Sequence, residues 1–188
     1  MSKKTIGVFV GSLREGSFSR IIANYVSSLA PEEFKLQTIE LGDLALYNQD
    51  LDDHGNPPEA WTKFREEVKP LDGFLFVTPE YNRSVPAVLK NALDVGSRPY
   101  GESVWDGKAG GIISVSPGAL SAFGANHHLR QSMVFLNVLT LQQPEAYIGN
   151  VTSVLDEKGE VVNEKTKAFL QNYMDAFVKW VNTISGAH

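Results

Sequence analysis

The sequence predicts an α/β sandwich: a five-stranded parallel sheet in the order 2-1-3-4-5 with helices on both faces. Three observations lead there. Compact β-branched runs alternate along the chain with stretches of helical periodicity, which implies βαβ units and right-handed crossovers. One of the runs, Gly73–Val77, is apolar throughout, as expected of a strand covered on both sides, and Ala109–Val115 reads as another buried strand. The 188 residues hold five such strands and five helices without an internal repeat or linker, so residues 1–188 are expected to form a single domain.

Taken in order, Thr5–Val10 is the first strand, and Ser17–Leu29 is a helix with apolar residues at Ile21, Ile22, Tyr25, Val26 and Leu29 and Ser17 as its N-cap. Pro31 prevents its continuation. Phe34–Leu41 alternates as a second strand, and the Asp-, Asn-, Gly- and Pro-rich stretch Gly42–Pro58 reads as a loop. Glu59–Val68 is a helix ended before Pro70. After the third strand, Val85–Val95 is a helix with Pro86 in its first turn. Gly96–Gly107 is a loop, Leu120–Leu136 a helix, Val138–Leu141 a short strand and Asn163–Ile184 a final amphipathic helix. Gly149–Glu164 reads as an exposed hairpin or loop.

Composition narrows the function. Hydrophobic residues make up 43% and charged residues 21%, with a net charge of −5, so no basic surface for nucleic acid or anionic membrane is expected. No apolar run reaches membrane-spanning length, and Thr5–Val10 is too short for a signal-peptide core. There is no cysteine, which excludes disulfides, thiolate metal sites and iron–sulfur clusters and makes a reducing cytoplasm the expected location. Redox chemistry, if present, requires a bound cofactor.

Ligands of such sheets bind beyond the carboxyl ends of the strands where the strand order reverses. The loop after the first strand, Gly11-Ser12-Leu13-Arg14-Glu15-Gly16-Ser17-Phe18-Ser19-Arg20, combines two glycines, three hydroxyls and two arginines and opens a helix, as a phosphate site requires. The bland reading is a capped helix with solvated arginines. Gly7, Gly11 and Gly16 do not fit G-x-G-x-x-G, although Glu40 stands where a ribose-binding acid would, and no Gly-Lys-Ser/Thr is present. A terminal monophosphate remains. After the third strand comes Thr78-Pro79-Glu80-Tyr81-Asn82-Arg83-Ser84-Val85-Pro86, and after the fourth Ser114-Val115-Ser116-Pro117-Gly118.

Gly-Ser-Leu-Arg at positions 11–14 with Ser17 and Ser19 resembles the FMN-phosphate loop of the NADPH-dependent FMN reductase family. Pro79-Glu80-Tyr81-Asn82, Ser84-Val85-Pro86 and Leu89-Lys90-Asn91-Ala92 resemble its flavin-ring segment, and His128-Leu129-Arg130-Gln131 is similar to bacterial members described as chromate, quinone or ferric reductases. The resemblance implies a flavodoxin-like fold and FMN contacts from Ser12, Arg14, Ser17, Phe18 and Ser19, from Pro79, Glu80, Tyr81 and Asn82, and from Ser116 and Gly118. Backbone N–H groups after Pro79 would face the flavin pyrimidine edge, Tyr81 would offer an aromatic face, and Asn82 would donate and accept. Glu80 has two readings, beside the ring or paired with an arginine across a subunit interface. Arg83 departs from the pattern, where many similar chains carry tyrosine or glycine, and could meet nucleotide, acceptor or a neighbouring subunit.

The implied activity is a ping-pong transfer of two electrons from NADH or NADPH to quinones, chromate, azo compounds, ferric chelates or free flavin, with no side chain as nucleophile. The implied assembly is a homodimer or homotetramer. A flavodoxin-type electron carrier, a flavin-storing module and a phosphohydrolase are the alternatives. His127 and His128 point about 100° apart on a helix, so no metal site is expected. Ser116 lacks a nucleophile-elbow setting, and the acidic loop 48–55 lacks calcium-ligand spacing. Trp61 and Trp105 read as packing residues, while Tyr100 and Trp105 could also face a partner or an acceptor pocket.

Overall fold

A computed structural model describes residues 3–186. Strand β1 (Lys4–Val10) lies between β2 (Phe34–Ile39) and β3 (Gly73–Thr78), and β3 pairs β4 (Ala109–Val115), all in parallel. The order β2-β1-β3-β4-β5 is the one expected. The fifth position is split. β5 (Leu139–Thr140) pairs Ala109 and Gly110, whereas β6 (Ala146–Ile148), absent from the sequence reading, pairs Ile113 to Val115. Between them the chain leaves the ladder at a stretch containing Pro144, which has no N–H to give it.

Side chains alternate through the sheet and build two cores. Ile6, Val8, Val10, Leu75, Val77, Ile113 and Val115 meet α1 (Phe18–Ser28) and α6 (Glu164–Ser185) on one face. Phe9, Phe74, Phe76 and Ile112 meet α3 (Glu59–Val68), α4 (Ala87–Gly96) and α5 (Phe123–Phe135) on the other. That second core is aromatic: the Phe9 ring lies 5.1 Å from Phe76 and 5.3 Å from Trp105. Trp105 is fully buried and its indole N–H donates to the Leu93 carbonyl at 3.0 Å, so it faces neither a partner nor an acceptor pocket. Tyr100 stays at the surface, 92% exposed.

Four further expectations are corrected. The loop after β2 contains a helical turn, α2 (Gln49–Asp53), capped by Asn48. Its Asp52 forms a two-pronged ion pair with Arg65 of α3, at 2.8 and 2.7 Å, and Arg65 also donates to the Val95 carbonyl at 2.9 Å. Helix α5 begins at Phe123 rather than Leu120, because Ser121 and Ala122 both have φ +56° and cannot extend a right-handed helix. Pro86 is the N-cap of α4 rather than part of its first turn. Segment 149–164 is partly buried: Val151, Val154 and Val161 join the α1/α6 core, and Leu155 pairs Val161 across a small hairpin. No helix among the described residues is long and apolar enough to cross a membrane.

Asn91, from the Leu89–Ala92 motif, is buried and fixes the approach to α2. Its side-chain oxygen accepts the Tyr47 N–H at 2.8 Å, and its amide donates to the carbonyls of Leu44 and Ala45 at 3.1 and 3.0 Å.

Replacing Asp52 with alanine strands the Arg65 charge in an environment that leaves its side chain only 12% exposed. We expect a loss of about 3 kcal/mol. A urea melt checks it: a midpoint equal to that of the parent would mean that the pair contributes nothing.

Candidate functional site

The carboxyl ends of β1, β3 and β4 bring the three expected loops together. Gly11 follows β1, and its N–H bonds the Val77 carbonyl at 2.9 Å. A Cβ placed on Gly11 would stand 3.0 Å from Pro79 Cδ and 3.1 Å from Thr78 Oγ1, so the first two loops touch where a side chain would have to push its neighbours back. Next to it Ser12, 3% exposed, accepts the Tyr81 O–H at 3.2 Å and the Arg14 N–H at 3.4 Å. Its own hydroxyl proton remains available to donate.

Arg14 folds over its own loop. One guanidinium nitrogen donates to the Glu15 carbonyl at 3.1 Å, the other to the Gly16 carbonyl at 3.0 Å, and the group lies 5.5 Å over the Phe18 ring. Gly16 permits the turn with φ +63°. Ser17 caps α1 by accepting the Arg20 N–H at 3.4 Å, as expected. The backbone N–H groups of Phe18 and Ser19 have no partner among the described residues, and no acid stands in the first turn. Ser19 is also buried, at 1%. Arg20 turns away to pair with Glu40 at 3.3 Å, which occupies the acid at the end of β2.

In the second loop Tyr81 and Ser84 exchange backbone hydrogen bonds of 3.1 and 3.0 Å. Asn82 and Arg83 between them have φ +51° and +66°, the left-handed pair that closes a two-residue hairpin. The Tyr81 and Ser84 N–H groups are thus consumed, while those of Glu80, Asn82 and Arg83 have no partner among the described residues. The Tyr81 ring is half-exposed at 48%. Glu80 faces inward: one carboxylate oxygen accepts the Ala125 N–H at 3.0 Å, and the other lies 3.5 Å from Arg83. Within the chain the arginine nearest to it is that of its own hairpin, and its carboxylate caps α5, whose N-cap Ala122 has no side chain to do so. Ser84 Oγ and His128 Nδ1, 2.9 Å apart, make a second tie to α5.

The third loop closes on itself. Ser116 Oγ accepts the Gly118 N–H at 3.0 Å, and the Gly118 carbonyl accepts from Ser121 and Asn150. Gly118 is exposed. Beneath lies a polar chain that the sequence did not announce. Ser114 donates to the Ser121 carbonyl at 2.8 Å, Asn126 to Ser114 at 3.3 Å, and Arg130 to Asn126 at 3.1 Å. Arg130 of the His128–Gln131 motif therefore supports the loop from below.

The neighbouring histidines diverge as expected. His127 lies 3.0 Å from the Tyr147 hydroxyl, which donates to Glu145 at 2.8 Å. Burial and that acceptor push the Tyr147 hydroxyl up to about 12. Its single proton goes to Glu145, so His127 must donate through Nε2–H. Among the described residues no three His, Asp or Glu side chains gather as metal ligands.

A sheet of this order, with a helix N-terminus ready for an anion and an aromatic hairpin at its switch point, defines a flavodoxin-like nucleotide-binding protein. Residues 5–153 match the sequence profile described as NADPH-dependent FMN reductase, and the chain belongs to that family. It is 54% identical to a quinone reductase of Pseudomonas putida over 94% of both chains. It is 46% identical to a 2-hydroxy-1,4-benzoquinone reductase of a Burkholderia species, over 94% of this chain and 95% of that one. Its structure is similar to that of FerB, a flavoenzyme NAD(P)H:(acceptor) oxidoreductase of Paracoccus denitrificans, with a TM-score of 0.89 at 37% identity over 96% and 98% of the two chains. The protein is an oxidoreductase whose cofactor is FMN and whose reductant is NAD(P)H.

Glu80→Ala removes the only side-chain acceptor that the described residues place at the start of α5, whereas Glu80→Gln keeps an oxygen there. We expect the alanine variant to lose about 1 kcal/mol and the glutamine variant about half of that. Thermal melts compare them; equal losses would show that charge, not the hydrogen bond, holds the helix end.

Proposed function

We propose that this chain is a quinone reductase that binds FMN across the first three loops and uses one site for both half-reactions. The observation that carries the reading is a contrast between helix ends. The start of α5 is occupied by Glu80, and that of α4 is preceded by Val85-Pro86. Among the described residues the start of α1 combines N–H groups without a partner there with Ser12, Ser17, Ser19 and a nearby arginine. Such a donor set fits a monophosphate dianion.

In this reading Ser12, Arg14, Ser17, Phe18 and Ser19 hold the phosphate. Arg14 supplies charge while its clip onto Glu15 and Gly16 keeps the loop closed. Pro79, Glu80, Tyr81 and Asn82 hold the ring, Glu80 and Asn82 through backbone N–H and Tyr81 through its face. Ser116 and Gly118 complete the rim, where the glycine permits close approach. When bound, FMN supplies the two-electron chemistry, taking hydride from NAD(P)H and passing electrons on. The chain orients nucleotide and acceptor in turn over the same face, which is a ping-pong order, and no side chain acts as nucleophile.

The two relatives described as quinone reductases support a quinone as acceptor, and chromate, azo compounds, ferric chelates and free flavin belong to the same reading. We place the enzyme in the cytoplasm, as a single domain that works as a homodimer or homotetramer.

The purified protein, loaded with FMN, should show flavin bands that bleach on anaerobic addition of NADH or NADPH and return on addition of 1,4-benzoquinone. Bands that persist would make it a carrier. Arg14→Ala should weaken FMN binding about tenfold, the loss of one charge-assisted contact. Quenching of flavin fluorescence measures this, and an unchanged Kd would remove Arg14 from the cradle.

A further inference from the structure

Resting on the quinone reductase reading, we propose that Arg83 selects the acceptor: it is a cationic anchor that favours quinones bearing an anionic substituent. The residue is held where an arginine is least expected. At φ +66° its Cβ crowds the backbone, and the second position of such a hairpin ordinarily goes to glycine. Packing does not compensate, because the side chain is 74% exposed. Pairing compensates little: the nearest carboxylate oxygen of Glu80 is at 3.5 Å, well beyond the 2.7–2.9 Å usual for a charge-assisted bond. The other oxygen of Glu80 is committed to the Ala125 N–H. None of the five guanidinium N–H groups makes a hydrogen bond among the described residues. Strain kept at a site, without a contact to account for it, points to a function of the side chain itself.

Its place gives that function a direction. Arg83 stands two residues from Tyr81, whose hydroxyl touches Ser12 of the phosphate loop, and next to Ser84, which is tied to His128. It thus rides on the rim of the site. The chain as a whole carries a net charge of −5, which repels an approaching anion. A local cation offsets that repulsion and raises the occupancy of an acceptor bearing a ring oxyanion, carboxylate or sulfonate. The acceptor gains two electrons and two protons, as a hydride equivalent from NAD(P)H and one proton from water, and leaves as the hydroquinone. Arg83 keeps its proton throughout.

The test uses the FMN-loaded enzyme with 1,4-naphthoquinone-2-sulfonate, permanently anionic, against neutral 1,4-naphthoquinone. Arg83→Gly should raise the KM for the sulfonate about tenfold. It should leave kcat, the KM for the neutral quinone and the FMN Kd within about twofold and should not lower the melting temperature, since glycine relieves the strain. Arg83→Lys should retain most of the preference. Salt raised from about 20 to about 300 mM should erode the sulfonate preference of the parent and leave the glycine variant flat. Equal changes for both quinones would overturn the proposal. So would a rise confined to the KM for NADPH, which would assign the anion to the nucleotide, or a changed oligomeric mass, which would make Arg83 an interface residue. A parent enzyme that fails to reduce neutral 1,4-naphthoquinone would instead refute the quinone reductase reading itself.

Discussion

Glu80 sends one carboxylate oxygen across 45 positions of sequence to the Ala125 N–H at the start of α5. That contact organises the carboxyl edge of the sheet in two ways. It neutralises the positive end of α5, which would otherwise compete with α1 for any anion. It also anchors the second loop to a helix of the α3/α4/α5 layer, so that the hairpin above it has a fixed base. With Ser84 and His128 as the second tie, both ends of the Tyr81–Ser84 hairpin are held, and its exposed tip can be rigid without being buried.

The first loop is placed by a different constraint. Gly11 lets the chain leaving β1 pass against Pro79, and Ser12 and Tyr81 then meet side chain to side chain. The first and second loops are therefore coupled through one hydroxyl contact, each resting on its own strand. Below both, the stacked Phe9 and Phe76 rings pack β1 to β3 with Trp105 against them. A site assembled from loops gains its precision from such a base, since the loops themselves contribute little core.

What the sequence disclosed and what it concealed follow from contact range. β3 and β4 were legible because every one of their residues is buried, so burial on both faces wrote runs that are apolar but for Thr78 at the end of β3 and Ser114 in β4. α1 was legible because its cap, its periodicity and Pro31 are local. The polar cluster from Ser12 to Ser19 was legible as composition, but the inward clip of Arg14 was not, since nothing in the spelling shows which acceptor an arginine chooses. α2 was hidden because its Asn- and Asp-rich residues favour turns, and its anchor is Arg65, 13 positions away. β6 was hidden because three residues carry no period, and only β4 gives them a register. Trp105, read as a packing residue, is in the core although its pattern lies in a loop. The Glu80 cap had no local signature at all.

The tip of the second loop is held apart from the contacts that fix the loop. The first loop depends on α1 and Gly11 and the second on Glu80 and Tyr81, and the side chain of position 83 meets them through a long, 3.5 Å pairing with Glu80. A two-residue hairpin fixes its backbone by two hydrogen bonds and the left-handed pair, whatever projects from its tip. Position 83 can therefore carry a large cationic side chain at the cost of local strain, while the surrounding ties hold the conformation. Substitution at that one tip alters the charge at the rim and leaves the backbone hydrogen bonds of the hairpin in place. The charge at the rim is therefore separable from the geometry of the first and second loops, because the two are fixed by different atoms: the side chain at position 83 for the one, the backbone and the Glu80, Ser84 and Gly11 contacts for the other.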